Sequence, residues 1–285
     1  MSLSLHPGLT GVEAQAIGAR HLAAAGIRTP RTDARILLAH AAGISRDRLV
    51  LIGDQPLSAE VIDAYSKALE QRAARVPVSH ITGTREFYGR RFVVTPDVLD
   101  PRPDTETLIE VALSGPYERV LDLGTGTGCI LLTLLAERPE AVGVGTDISN
   151  QALEVAGRNA RALGVAERAE LYRSDWLTDV DGQFDLIVSN PPYIGESEIA
   201  DLEPEVRDHE PRAALTPGGD GLDAYRAIAK GLKAHLTPGG RVVMEIGPTQ
   251  AAAVSALLRE AGLTLISVHR DLDGRDRVVE AACKA

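Results

Sequence analysis

The chain has 285 residues, 44% of them hydrophobic and 4% aromatic, with a formal charge of -10. That length and apolar content can bury a sizeable core in one or two domains, while the acidic balance argues against a general nucleic-acid binder, whose footprint is basic. Two cysteines without Cys-x-x-Cys spacing and seven histidines without an i, i+4 pair argue against zinc. There is no basic-then-apolar leader and no apolar run of about 18 residues, so a soluble protein of a reducing compartment is expected. Residues 1–95 hold 12 Lys and Arg against 8 Asp and Glu, which sets this region apart from the acidic remainder.

Taken in chain order, the first 75 residues read as helices. Thr10 and Glu13 have capping-box spacing ahead of a run through Ala25, which Gly26 stops. Further helices are expected from Pro30 to Ala42, from Arg46 to Leu51, and from Ser58 to about Arg75, the last with Val61, Ile62, Tyr65 and Leu69 at helical spacing. Such a bundle is either a partner-docking module or a structural appendage. Phe87 to Val94 reads as a hairpin turning at Gly89. Asp100 to Glu106 is polar and stiffened by Pro101 and Pro103, and reads as a linker or as a rigid edge to a site, leading into a helix from Thr105 to Leu113.

From Arg119 onward strands and helices alternate. Strands are expected at Val120–Leu123, Ala141–Thr146, Ala169–Arg173, Phe184–Ser189, Arg241–Ile246, Thr264–His269 and Arg277–Ala282. Helices are expected at Cys129–Glu137, Asn150–Leu163, Leu222–Leu236 and Thr249–Ala261. Alternation of this kind predicts a mostly parallel sheet covered on both faces. The last two strands are joined by the short link Asp271–Asp276, which is too short for a parallel crossover, so they should be antiparallel. Residues 196–220, acidic and proline-containing, show no clear element and read as a flap or mobile loop over a cleft.

Two motifs carry chemistry. Gly124-Thr125-Gly126-Thr127-Gly128 follows the first strand of the sheet and precedes a helix, so it offers a tight turn and bare backbone to a ligand. Asp147 ends the next strand, close to the spacing of about 20 residues at which an acid takes a ribose diol. A nucleoside-bearing cofactor is therefore expected, neither a dinucleotide nor a triphosphate, because the third-glycine offset and the P-loop lysine are both missing. Asp122 could approach a cationic amino-acid head group or bond backbone donors at the strand end. Asp175 could accept from an adenine amine, and Trp176 could cover the ring or pack into the core. The second motif, Asn190-Pro191-Pro192-Tyr193, ends another strand. It is either a strand-terminating turn or a grip for a planar –NH2 group: the Asn190 side-chain oxygen and a proline-flanked carbonyl accept its hydrogens while the Tyr193 ring lies against its plane.

Glycine loop and tetrad on one sheet, in this order, resemble the class I S-adenosylmethionine-dependent methyltransferases that act on planar –NH2 nitrogens. Asp100 to Glu106, Glu86 to Gly89, Ser174-Asp175-Trp176, the tetrad and the closing Asp271 to Val279 together resemble the peptide chain release factor N5-glutamine methyltransferase family. One departure lies at Val78 to Gly83, away from the chemistry. The resemblance implies an α/β fold with a class I methyltransferase-like, mostly parallel seven-stranded sheet, helices on both faces and a small N-terminal helical bundle. It implies a helical substrate-docking domain at 1–75, a hairpin linker at 76–100 and an S-adenosylmethionine-binding domain at 101–285. The implied activity is methyl transfer from S-adenosyl-L-methionine to the glutamine of the Gly-Gly-Gln motif of class I release factors, in the cytoplasm, without membrane or direct nucleic-acid contact. Asn190, Pro191 and Tyr193 would be catalytic, and Asp122, Gly124 to Gly128, Asp147, Asp175, Trp176 and Asn190 would hold the cofactor. Arg102 and the whole tetrad, Pro192 included, would meet the substrate. The alternatives are a ribosomal-protein glutamine methyltransferase and a DNA adenine methyltransferase.

Overall fold

The computed structural model describes residues 4–284. The chain forms two compact units. The first comprises the residues up to Gly83 together with Glu203–His209. Its helices are α1 (Gly11–Ala24), α2 (Pro30–Ala41), α3 (Ala59–Ala73) and α4 (Val78–Thr82), with a 3-10 turn at Arg46–Ile52. The Thr10–Glu13 capping box is formed in both directions. Ala14, Leu22, Leu37, Leu38, Ile62, Tyr65 and Leu69 make the core. Gly18 lets α1 approach α3, since a Cβ there would lie 2.1 Å from the Tyr65 hydroxyl. Arg72, 7% exposed, bonds Asp33 at 2.7 Å and Glu205 at 2.9 Å. Arg75 joins Glu205 at 3.1 Å, which fixes the 203–209 segment onto this unit.

The second unit begins with a hairpin, β1 (Thr84–Phe87) and β2 (Arg90–Val93). Tyr88 and Gly89 both have positive φ, as a two-residue type I′ turn requires. Phe87 and Phe92 meet edge to face and sink into the unit's core. After a 3-10 turn at Pro103–Thr105 come α5 (Glu106–Leu113), β3 (Arg119–Leu123), α6 (Cys129–Glu137), β4 (Val142–Asp147), α7 (Asn150–Ala162), β5 (Ala169–Arg173) and β6 (Phe184–Ser189). Residues 196–220 hold a 3-10 turn (Glu196–Asp201) and the short helices α8 (Pro204–His209, part of the first unit) and α9 (Arg212–Leu215). The chain closes with α10 (Asp223–Ala229), α11 (Leu232–His235), β7 (Leu236–Glu245), α12 (Ala251–Glu260), β8 (Thr264–Arg270) and β9 (Asp276–Ala282).

The seven strands lie in the order β5-β4-β3-β6-β7-β9-β8, with β9 antiparallel to β7 and to β8 and the rest parallel. Side chains alternate across the sheet, so neighbours split between two cores. Val120, Leu186, Val243 and Val278 pack under α5 and α6, while Leu121, Ile187, Val242 and Val279 pack under α10 and α12. Gly143 and Gly145 of β4 let α6 settle on the sheet, because a Cβ at either would fall within 3 Å of Leu131.

Several expectations change. The helix expected from Arg46 is a 3-10 turn, and Val78–Thr82, expected within a hairpin linker, is a helix of the first unit. Residues 222–236 form no single helix: the chain breaks at Lys230 and Gly231, where a Cβ on Gly231 would lie 2.8 Å from Leu177. The 196–220 stretch is not devoid of structure; its helices are simply too short to show a period. Among the described residues no helix is long and apolar enough to cross a membrane.

Candidate functional site

The sheet order brings the two motifs together. Chain direction reverses its progress across the sheet at β3, with β4 on one side and β6 on the other, and such switch points open a crevice beyond the carboxyl ends of the strands. Leu123 stands opposite Ser189 in the β3–β6 pairing, and the Ser189 hydroxyl donates to the Leu123 carbonyl at 2.7 Å. Gly124 and Asn190, far apart in the chain, therefore leave the sheet on neighbouring strands. A cavity of about 510 Å³ opens there.

One wall is the glycine loop. Gly124, Gly126 and Gly128 have φ of +71°, +56° and +79°, a region costly to any residue with a Cβ. Gly126 has no atom within 4 Å of where a Cβ would stand, so bare backbone faces open space, and its N–H donates to Asp147 Oδ2 at 2.9 Å. The other Asp147 oxygen accepts from the Ser149 N–H at 2.9 Å, and burial raises this carboxyl above the usual carboxylate range. Gly124, Thr125, Gly126, Thr127, Asp147, Asp175 and Trp176 all line the cavity. The Trp176 ring reaches to 3.6 Å of the Gly124 Cβ position and also rests on the α10–α12 core, so it serves as cavity wall and as packing at once.

Asp122 lies beneath this wall, 0% exposed. Its Oδ2 accepts from the Thr125 hydroxyl at 2.7 Å and from the Leu131 N–H at 3.4 Å, and its Oδ1 has no partner. Burial pushes it up to about 7. Gly128 is also absent from the cavity lining; it is consumed by packing, since a Cβ there would lie 2.8 Å from Leu132.

The opposite wall carries Asn190 and Pro192 of the tetrad, with Thr105 and Arg102. Pro191 is buried. Tyr193 does not line the cavity with the ring that was expected to lie on the substrate's plane. Its hydroxyl donates inward to Glu245 Oε1 at 3.5 Å, its carbonyl accepts from Gln250 Nε2 at 2.9 Å, and burial pushes its hydroxyl up to about 12. Asn190 Nδ2 donates to Thr105 Oγ1 at 3.3 Å, which turns its oxygen away from that hydroxyl. Arg102 reaches Glu210 at 2.6 and 2.7 Å, so it meets a carboxylate of its own chain; burial pushes Glu210 up to about 7. Pro211, Ala213, Ala214, Thr216 and Pro217 complete this side, so the end of the 196–220 stretch is cavity wall.

Three residues that sequence reasoning passed over organise the site. Asn159, 0% exposed, takes the Val93 N–H at 2.7 Å and donates to the Thr127 carbonyl at 2.9 Å, joining hairpin to glycine loop. Its position on the apolar side of an otherwise amphipathic helix was the available signal. Thr105 and Glu245 support the tetrad; Thr105 lies in the Asp100 to Glu106 segment that reads as a site edge, while nothing local in the sequence marks Glu245.

The cavity suits S-adenosylmethionine. Positive-φ glycines leave room for a ligand against the backbone, Asp147 can accept from ribose hydroxyls, Trp176 can cover a flat base, and acids predominate where a cationic donor would lie. A family model described as PrmC N-terminal domain matches residues 13–83, and one described as methyltransferase small domain matches residues 97–220. A release factor glutamine methyltransferase from Cereibacter sphaeroides is 60% identical over 264 residues, 93% of this chain and 95% of that protein. One from Rhodospirillum rubrum is 47% identical over 271 residues, 94% of this chain and 83% of that protein. A crystal structure of a methyltransferase from Pyrococcus furiosus shares the fold, with a TM-score of 0.56 over 76% of this chain and 100% of that one at 16% identity. The motifs, the sheet and relatives matched along almost their whole length converge, and the chain belongs to the release factor glutamine methyltransferase family.

Proposed function

We propose that the protein transfers a methyl group from S-adenosyl-L-methionine to the side-chain amide nitrogen of the glutamine in the Gly-Gly-Gln motif of class I peptide chain release factors, in the cytoplasm. The observation that carries this reading is Asn190: it lines the cavity beside the glycine loop with its amide nitrogen engaged by Thr105 and its oxygen left to accept. Bound S-adenosylmethionine supplies a methyl already activated on a sulfonium. Gly124 to Thr127, Asp147, Asp175 and Trp176 would hold it, with Asp122 and Gly128 shaping the loop from beneath.

The chain's own contribution is to the nucleophile. An amide nitrogen is poor because its lone pair is delocalised into the carbonyl. Asn190 Oδ1 and the Pro191 carbonyl accept the two amide hydrogens, hold the nitrogen toward the methyl and stabilise positive charge as it develops. As the nitrogen gains its methyl it loses one of those protons to solvent, so no strong base is needed. Near-attack positioning of this kind supplies roughly 7–11 kcal/mol in well-oriented systems. Tyr193, turned toward Glu245, serves as a brace for the corner. Pro192 forms the wall beside Asn190. Arg102, held on Glu210, supports the substrate side of the cavity. The helical unit, less acidic than the rest of the chain, would hold the body of the release factor.

Mass spectrometry of a release factor incubated with the protein and cofactor tests the reading. One added methyl on the Gly-Gly-Gln glutamine is expected. Label appearing instead on ribosomal protein or DNA would assign the chemistry elsewhere.

A further inference from the structure

The Asn190–Tyr193 corner has few donors of its own. Pro191 and Pro192 carry no N–H, so the peptides that precede them cannot be tied through one. A firm tie comes at the far end, in the peptide that joins Tyr193 to Ile194. The Ile194 N–H donates to the Leu215 carbonyl at 3.0 Å, and the Tyr193 carbonyl accepts from Gln250 Nε2 at 2.9 Å. That peptide plane is held at both edges.

Gln250 heads α12, whose Val254 and Leu258 sink into the core. Its backbone N–H donates to the Gly247 carbonyl at 3.0 Å, and its Oε1 accepts the Gly247 N–H at 3.0 Å. A backbone N–H can only donate, so Oε1 has to face Gly247 and the –NH2 end has to face carbonyls. Its two hydrogens meet two of them, Tyr193 at 2.9 Å and Gly221 at 3.4 Å. Glycines close the space around this amide. A Cβ on Gly221 would lie 2.4 Å from the Tyr193 oxygen and 3.0 Å from Gln250 Nε2, and one on Gly247 would lie 2.9 Å from Gln250 Oε1. One side chain thus joins the corner after β6, the turn before α10 and the turn after β7.

We propose that Gln250 is a positioning residue for methyl transfer: through the Tyr193 carbonyl it fixes the direction in which Asn190 Oδ1 and the Pro191 carbonyl meet the glutamine amide. This rests on the methyltransferase reading above. The near end of the corner is set by β6 and by the bond from Asn190 to Thr105. The far end has left the sheet and depends on its own fastenings. Without Gln250 the Tyr193–Ile194 peptide keeps only its bond to Leu215, and its rotation carries back to the Pro191 carbonyl. Gln250 stands outside the cavity lining, so its loss changes the aim of the acceptors and leaves the cofactor's own contacts in place.

The test compares wild type with Gln250→Met, Asn190→Ala and the double variant. It follows transfer of labelled methyl to a class I release factor in a single turnover, with KM for the factor and S-adenosylmethionine affinity by calorimetry. Gln250→Met keeps the length of the side chain and removes the amide. It should lose about 10- to 100-fold in rate, the worth of leaving a partly buried carbonyl unpaired, with KM and cofactor affinity within about threefold. In the Asn190→Ala background the same change should cost less than about threefold, because one acceptor left alone cannot orient an amide. A general loosening of the fold would instead multiply the two losses. Gln250→Met at the wild-type rate, a loss carried by KM or cofactor affinity, or losses that multiply in the double variant would overturn the proposal. If Gln250→Met does not fold, Gln250→Glu at pH 8, which keeps the shape and the acceptor but when ionised has no donor, decides by the same criteria. A wild-type protein that leaves release factor unmodified would instead overturn the function on which the proposal stands.

Discussion

The glycine loop after β3 carries most of its determinants within a few residues, whereas the tetrad after β6 borrows them from across the unit. Gly124, Gly126 and Gly128 set their own turn and Thr125 reaches Asp122, while Asp147, Asn159 and Trp176 join from farther along. Asn190, by contrast, is oriented by Thr105, 85 residues earlier, and Tyr193 is held by Glu245, 52 residues later. A loop that receives a ligand needs backbone freedom, which glycine supplies locally. An amide that must present its oxygen needs a partner for its nitrogen, and here only tertiary structure supplies one. Beneath each half lies a buried carboxylate with one oxygen unpartnered, Asp122 and Glu245.

Three substitutions break this comparison at different depths. Asn190→Ala should have the largest effect, reducing single-turnover methyl transfer about a thousandfold, as for loss of a preorganised transition-state contact, with S-adenosylmethionine affinity nearly unchanged in calorimetry. Turnover within tenfold of wild type would mean that the two halves are not functionally separate. Asp122→Asn addresses the buried charge. Because burial raises the folded Asp122 to about 7, above the usual 3.8, its contribution to stability is full below the ordinary carboxylate range and is lost as pH rises through about 7. The neutral amide removes that decline. At pH 8 it should gain on the order of 3 kcal/mol over wild type, read as a rise of about 5–10 °C in melting temperature, with no gain near pH 4. A gain that does not change with pH would contradict the assignment. Gly126→Ala is the mildest. Its cost is the left-handed backbone, about 1–2 kcal/mol, so cofactor affinity should fall about tenfold while kcat at saturating cofactor holds. A fall in kcat alone would show that the loop shapes the substrate half as well.

Much of this was legible in the sequence because the relevant physics is local. The Thr10–Glu13 box, the alternation after Arg119, the antiparallel closing pair and the glycine loop all rest on neighbours within a few residues. Strand order does not. Nothing in Phe184 to Ser189 says that β3 lies on one side and β7 on the other, and that order alone brings Glu245 to Asn190. Arg102 was legible as a site-edge residue, but its partner Glu210 was hidden in a stretch whose helices run only 6 and 4 residues. The break at Gly231 was hidden for a different reason: Leu177, which occupies the space, lies in a separate segment. Tyr193 reads as a ring for stacking because aromatic type is visible in sequence and direction is not.

Asn159 has a consequence for how this chain tolerates change. Its amide is an acceptor for the Val93 N–H and a donor to the carbonyls of both Val93 and Thr127, at lengths of 2.7 to 3.1 Å. Asp offers no donor to either carbonyl, Gln is a carbon too long, and Leu leaves every one of those backbone groups unpaired in a sealed interior. One position thus acts as an interlock: a side chain that touches no ligand leaves selection almost no alternatives, because two separately folded pieces of backbone have both been cut to fit it.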